Sequence, residues 1–399
     1  MLLNLQGFAR CFIGSTSAPA AVSPPDNDDL LREILLRVPP LPSSLPRASL
    51  VCKRWRRLVS DPGFLRRYQE HHRTPPLLGY FFTGTHVPVF TPTLAPPNRI
   101  TPARFSLPQQ PAGGGDRLFF LGCRHGLVLL INRRRLEAIV WDPVTRRQAT
   151  VAYPEEFTTD NGDHCCRGAV LSGEEGAGGL VPGEDGQLRP FKVILIRTVI
   201  SEDLASVFMC VYESKTGKWG NVISTTIPSL FCNLPNVLVG NQVLCGFFRW
   251  PDGFLEFDLD KQSLSVIQTP NSIHSIESTT FRVVRTQDRG LGVALLSRLS
   301  IQLWGRKVDS GGGIGWVLQK TIQVDKLLPL PPSMDNNMSA RILGYDEDSN
   351  AIHLSSLHGA FAIQLESIQF TELFNVNQIG SYYPCHPYTS FYTAGTSSS

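Results

Sequence analysis

Three short clusters bring together residue types that could bind a metal: Cys123 with His125, His164-Cys165-Cys166, and Cys385-His386. A structural zinc site draws its ligands from two spaced pairs. No cluster has a partner at such spacing, so all three read as small buried or loop thiols beside incidental histidines. Lys53-Arg54-Trp55-Arg56-Arg57 offers a different chemistry, four cations around one tryptophan. That composition suits either nucleic-acid phosphates or the flank of a helix whose other side docks on protein. The glycine runs at 113–115 and 311–313 would cradle an anion only at the start of a helix, and no helix start follows either of them. No G-x-S-x-G elbow, phosphate-binding loop or G-x-G-x-x-G after a strand occurs. The expectation is a non-catalytic chain with no metal and no cofactor.

The elements that must carry these residues are bounded by composition. A chain of 399 residues, 42% hydrophobic and 18% charged, can bury a sizeable core and is not a disordered polymer. Its net charge of +3 creates no global field to recruit nucleic acid or an acidic membrane. No run approaches the roughly 18 apolar residues needed to span a bilayer. Nine scattered cysteines fit reduced thiols in the cytoplasm and/or nucleus. Residues 1–25 lack acidic side chains and hold a single Arg10, which favours a disordered leader over an organellar transit peptide; residues 394–399 read as a disordered tail.

Helical signals fill residues 26–74. Asp28 and Asp29 can cap "LLREILLRV", in which Leu30, Leu31, Ile34, Leu35 and Val38 recur at helical spacing before Pro39-Pro40. Ser43 or Ser44 can cap a second helix with Pro46 in its first turn, carrying Leu50, Val51, Trp55, Leu58 and Val59 as one apolar stripe. Asp61-Pro62 starts a third, with Phe64, Leu65 and Tyr68 inward. Three short helices cannot hide this much apolar surface, which implies a partner. Asp28, Asp29, Glu33 and Asp61 oppose the nucleic-acid reading of the basic cluster. It is expected to be a docking helix with solvated cationic flanks.

This stretch resembles an F-box, above all in "VCKRWRRL" following "DLLREILLRVP". The leucine-proline pair usual before its first helix reads Pro24-Pro25 here. The resemblance implies binding to a Skp-type adaptor of a cullin-RING ubiquitin ligase. The residues expected to line or support that interface are Leu30, Leu31, Ile34, Leu35, Val38, Pro39, Leu50, Val51, Cys52, Trp55 and Leu58.

From Leu77 the texture changes to short apolar runs separated by Gly, Asn, Asp and Pro. "VWDPVTRRQATV", "VYESKTGKWGNV", "EFDLDKQSLSVI", "QLWGRKVDSGGGIGWVLQ" and "AIQLESIQFTEL" align as hairpins. Their markers Trp141, Tyr212, Phe257, Trp304 and Ile363 are 71, 45, 47 and 59 residues apart. Periods near 45 suggest four-stranded propeller blades. The longest step contains a glycine-rich acidic insertion, Ser172 to Gln187, read as a surface loop. Strands from "LLGYFF" and "PYTSFY" leave room for a blade closed by both ends. The fold class expected is α+β multidomain: a small three-helix module, then a mostly β domain over 77–393, a propeller of about six blades, with a pair of β-sandwiches as the alternative. "CRHGLVLL" and "VWDPVTRR" resemble the first unit of the kelch-like, F-box-associated region of plant F-box proteins.

The function this implies is a non-catalytic substrate receptor: helices on the adaptor, β-domain loops on an unidentified target protein marked for ubiquitination. Trp250, and the loops Tyr153 to Asp163 and Arg249 to Asp252, are the candidates for target contact. The alternative is a non-degradative scaffold or glycan-binding propeller that uses its F-box only for assembly. Neither nucleic acid nor membrane is an expected partner.

Overall fold

The computed structural model describes residues 28–82, 88–107, 118–158, 165–173, 187–201, 204–228, 231–232, 237–239, 242–249, 252–269, 281–288, 290–297, 300–308, 314–324, 340–356, 359–374 and 385–392. The chain separates into two compact units, one up to Val38 and one from Pro39. The first holds α1 (Asp28–Leu36), with two aspartates in its first turn where the helix dipole favours negative charge. Leu35 and Leu36 are buried, while Leu30 and Ile34, one turn apart, lie exposed.

The second unit opens with α2 (Ser44–Val51), α3 (Lys53–Val59) and α4 (Pro62–His72). The single helix expected from Ser44 to Val59 is therefore two. Cys52 stands between them in extended conformation (φ −163°, ψ 170°), and the Ser49 carbonyl accepts from Arg56 Nε at 3.4 Å across the break. A continuous helix would put Val51 and Leu58 on one face. The break separates them: Leu58 and Val59 turn inward, while Leu50 and Val51 stay out. Asp61 caps α4, its Oδ1 accepting from Phe64 N–H at 2.8 Å, with Pro62 in the first turn.

Strands β1 (Leu77–Phe82) and β2 (Val89–Pro92) come next. One four-stranded sheet follows, made of β3 (Leu118–Arg124), β4 (Leu127–Asn132), β5 (Glu137–Asp142) and β6 (Arg147–Ala152). The next has β7 (Cys165–Ser172), β8 (Phe191–Ser201), β9 (Leu204–Glu213) and β10 (Lys218–Trp219), with β11 (Ile223–Pro228) also on β9. In the third, β12 (Phe231–Cys232) and β13 (Val237–Val239) share β14 (Gln242–Arg249), followed by β15 (Asp252–Asp258) and β16 (Ser263–Gln268). The fourth runs β17 (Phe281–Arg285), β18 (Leu291–Ser297), β19 (Ser300–Val308) and β20 (Ile314–Gln323). The fifth runs β21 (Arg341–Asp346), β22 (Ala351–Ser356), β23 (Gly359–Gln364) and β24 (Phe370–Phe374). Last, β25 (Cys385–Thr389) pairs antiparallel with β1, making a three-stranded sheet from both ends of the domain. This is a β-propeller of five full blades, with the closing sheet in place of a sixth.

The repeat seen in the sequence is structural. Trp141, Tyr212, Phe257, Trp304 and Ile363 all sit on the third strand of their blades. Each is paired with a β-branched aliphatic residue on the second strand: Val128, Val193, Val243, Val293 and Ile352. Buried clusters join neighbouring sheets around the ring, from Phe81 and Trp141 at the closing sheet to Tyr80, Ala360 and Cys385 where it meets the fifth blade. Neighbours on both sides cover the second strands, so β4 is buried throughout and apolar up to Asn132. The outer β6 and β16 alternate towards solvent.

Three third-to-fourth turns use the same four-residue loop, with a left-handed residue at its end: Arg146 (φ 61°), Gly217 (67°) and Gln262 (49°); in the fifth blade Ile368 (57°) stands one residue before the end of a five-residue loop. In the first, the Asp142 carboxylate accepts from the Val144 and Thr145 N–H groups at 2.9 and 3.2 Å, so Asp-Pro is indeed a turn after a strand. Only Gly217 takes the left-handed conformation without cost. Arg146 is exposed, so Arg146→Gly removes strain without removing buried packing. We expect it to raise unfolding stability by up to about 1 kcal/mol in urea titration, and Arg146→Val to lower it.

Candidate functional site

The residues expected to face a partner divide into exposed and supporting sets. In the first unit, Leu30 and Ile34 are 46% and 52% exposed, Leu31 and Val38 are half-buried, and Leu35 is fully buried. In the second, Leu50 and Val51 are 74% and 61% exposed, Cys52 and Pro39 are exposed, Trp55 is half-buried and Leu58 is buried. Leu35 and Leu58 are thus interior supports: neither offers surface to a partner. Trp250 lies outside the described residues, as do residues 159–163 and 250–251 of the two target-loop candidates and 174–186 of the glycine-rich insertion.

The helices of the second unit are tied to the propeller by specific contacts. Ser43 Oγ donates to Asn98 Oδ1 at 2.7 Å, and the Ser43 N–H donates to the same oxygen. The buried Tyr68 hydroxyl donates to the Pro39 carbonyl at 2.9 Å, and its ring meets Phe391 edge-on. Ser390 N–H donates to Pro76 O.

The inner strands β3, β7, β13, β17, β21 and β25 line an axial cavity of about 80 Å³. Its wall is polar. Arg124 forms a 2.5 Å ion pair with Glu347, which also accepts from Leu238 N–H at 3.1 Å. Thr389 Oγ1 donates to Asp348 at 2.6 Å. Arg282, fully inside, donates to the carbonyls of Phe281, Ile342 and Leu343. Sequence reasoning missed these groups, since the Arg124–Glu347 pair spans 223 positions without a local signal.

Of the cysteine and histidine clusters, the structure places Cys123, His125, Cys385 and His386 around this cavity. His164 and the side chains of Cys165 and Cys166 are outside the described residues. Burial pushes the Cys123 thiol far up and the Cys385 thiol up to about 12, so neither is a ready thiolate nucleophile. Cys123 donates instead to Pro387 O, and Cys385 to Leu343 O. Among the described residues no group of three His, Cys, Asp or Glu side chains is placed to hold a metal.

Residues 119–393 match the family described as F-box protein AT5G49610-like, beta-propeller, and residues 27–67 match the F-box domain. The chain belongs to this F-box protein family. Comparison with curated proteins finds no match. Among solved structures, AztD from Citrobacter koseri is 14% identical, over 68% of this chain and 75% of its own, with a TM-score of 0.31. The Aleuria aurantia lectin, in complex with alpha-methyl-L-fucoside, is 12% identical over 67% and 80%, with a TM-score of 0.30. The extracellular domain of BT4673 from B. thetaiotaomicron is 12% identical with a TM-score of 0.29; the match covers 65% of this chain and 28% of that one. At these scores the likenesses say nothing of what this F-box protein binds.

Burial makes the histidines of its propeller resist protonation. Burial, helped by the Arg282 charge, lowers His386 to about 4. Burial lowers His353 to about 3, and its Nδ1 shares a 2.7 Å hydrogen bond with the Tyr80 hydroxyl. Both pKa values fall on folding, so the unfolded chain takes up these protons first. The stability they contribute is full above about pH 6.5 and is lost as pH falls towards 4. Asp346, pushed up to about 7 by burial and the Asp348 charge, works in the opposite direction, as do Asp142 and Glu347, both raised by burial. In urea titrations between pH 4.5 and 6.5, His386→Gln should flatten the loss of stability by about 1.4 kcal/mol per pH unit. An unchanged slope would contradict this assignment.

Proposed function

We propose that this F-box protein is the substrate-recognition subunit of a Skp-cullin-F-box ubiquitin ligase. The helical module, residues 26–74, docks on a Skp-type adaptor, and the propeller, 77–393, holds the target protein. The observation that carries this reading is the joint presence of an F-box match and a propeller match on one chain. The exposed Leu30, Ile34, Leu50 and Val51 support it, because short helices holding apolar side chains in water call for a partner surface. The mechanism is proximity. A target held beside the charged conjugating enzyme presents its lysine at high effective concentration, with no bond made or broken by this chain. Cys52, Cys123, Cys210 and Cys385, all free thiols, support a site of action in the cytoplasm and/or nucleus.

The full chain should co-purify with a Skp-type adaptor and, through it, a cullin. Leu50→Ala and Val51→Ala leave the interior intact, and each should weaken adaptor binding by about 1–2 kcal/mol in calorimetry. Val317→Ala, also exposed but on β20, should leave it unchanged. Equal binding by all three variants would sink the adaptor assignment.

A further inference from the structure

The axial channel carries its charges at two levels. Asp346, Glu347 and Asp348, the acids among its described lining residues, all belong to the turn after β21, where Arg124 and Thr389 meet them. Arg282 enters at the other level. It stands near the start of β17, and its guanidinium donates to the Phe281, Ile342 and Leu343 carbonyls. Arg285, three residues further along β17, donates to the Glu347 carbonyl in the acidic turn. Three residues of strand set the two levels about 10 Å apart. The Arg282 level is shared by Cys385 and His386 from the start of β25.

Carbonyl oxygens are neutral acceptors, so they fix the Arg282 guanidinium without cancelling its charge. That charge reaches its neighbours, lowering His386 and opposing the rise of the Cys385 thiol. Burial brings Arg282 itself down to about 10, a desolvation cost that an anion alongside would relieve. Room for an anion lies beside the imidazole. Gly122 and Gly344 face the cavity with no side chains, and a Cβ on Gly122 would meet His386 Nδ1 at 4.0 Å with no nearer described atom. Phe120 packs against the His386 ring, centroid to centroid 4.9 Å, and holds it in place. The cavity volume of about 80 Å³ is about half that of a cavity able to hold benzene, so it suits a group of a few heavy atoms.

We propose that the channel binds a small oxyanion between Arg282 and His386. Arg282 supplies the charge, and the neutral imidazole supplies an N–H. The acidic turn repels the ion from the other level, which confines it to this one. An oxyanion free in solution and a carboxylate carried on a target protein share this chemistry; the second source rests on the receptor reading above.

The test is equilibrium dialysis of the full chain against radiolabelled acetate and inorganic phosphate, with hexaglutamate as the chain-borne probe. Saturable binding of one probe molecule per chain is expected. Arg282→Gln should weaken it at least about ten-fold, because a hydrogen bond to a charged group is lost. Arg282→Lys keeps the charge and should weaken it less, and His386→Phe, which keeps a ring but removes the N–H, should weaken it several-fold. Lys307→Gln, at an exposed position on β19, should leave it unchanged. Thermal melting of each variant separates loss of the site from loss of the fold, and the two milder variants carry the test if Arg282→Gln does not fold. Binding of the free ions supports a soluble ligand, and binding of hexaglutamate alone supports a carboxylate on a target chain. No saturable binding of any probe, or equal binding by the unsubstituted chain, Arg282→Lys and His386→Phe, would overturn the site. Adaptor co-purification by the same chain would then leave the receptor reading standing.

Discussion

The propeller turns on a charge pair that is buried at one end of its channel. Arg124 leaves the end of β3 and meets Glu347 in the turn after β21. The same turn takes the Leu238 N–H from β13, a donor from Arg285 of β17 to the Glu347 carbonyl, and the Thr389 hydroxyl of β25 onto Asp348. Five of the six sheets are thereby joined through two consecutive acidic residues, Glu347 and Asp348. The remaining blade is linked through His125, whose Nδ1 accepts from Ser172 N–H. Burial raises the Glu347 pKa and the Arg124 charge opposes that rise. Such a pair adds little net stability, because desolvation offsets its attraction, but losing either partner strands the other at a cost of about 3–5 kcal/mol. Its contribution is therefore specificity: a ring with the wrong blade order would leave the charge unpaired.

The closing strand transmits that constraint to the helices. Thr389 is bound to the acidic turn, Ser390 to Pro76 just ahead of β1, and Phe391 to the ring of Tyr68 on α4. Three successive residues thus connect the channel, the closure of the ring and the helices of the second unit. The receptor proposed above would need such a joint, since effective concentration falls when the link between two binding surfaces is long and slack.

How much of this was legible in the sequence depended on how each strand is covered. Second and third strands lie between neighbouring blades, so they became apolar runs with a bulky marker, and the period was readable from Trp141 to Ile363. The inner strands face a narrow polar channel. They mix glycine, arginine, cysteine and histidine, as in Gly122-Cys123-Arg124 and Cys385-His386, and carry no period. That is why two of the clusters first met as metal candidates, Cys123 with His125 and Cys385-His386, turned out to be channel lining. Their pairing is set by ring closure, which no local pattern encodes. The break at Cys52 was hidden for a related reason: nothing in "SLVCKRWRRLV" disfavours a continuous helix, and tertiary contacts prevailed over propensity.

That break decides which apolar side chains are buried and which stay in water. In an unbroken helix the stripe from Val51 to Val59 would have a single fate, either buried in the module or presented to a partner. With Cys52 extended, α3 turns Leu58 and Val59 inward to hold the module together, and α2 keeps Leu50 and Val51 in water. One short apolar pattern thus supplies both a core and an exposed aliphatic patch. The cations of α3 stand beside that surface, since their helix begins where the other ends. The physical answer to the charged stretch around Trp55 is one of position: its tryptophan is half-covered by the fold, and its arginines border an aliphatic knob.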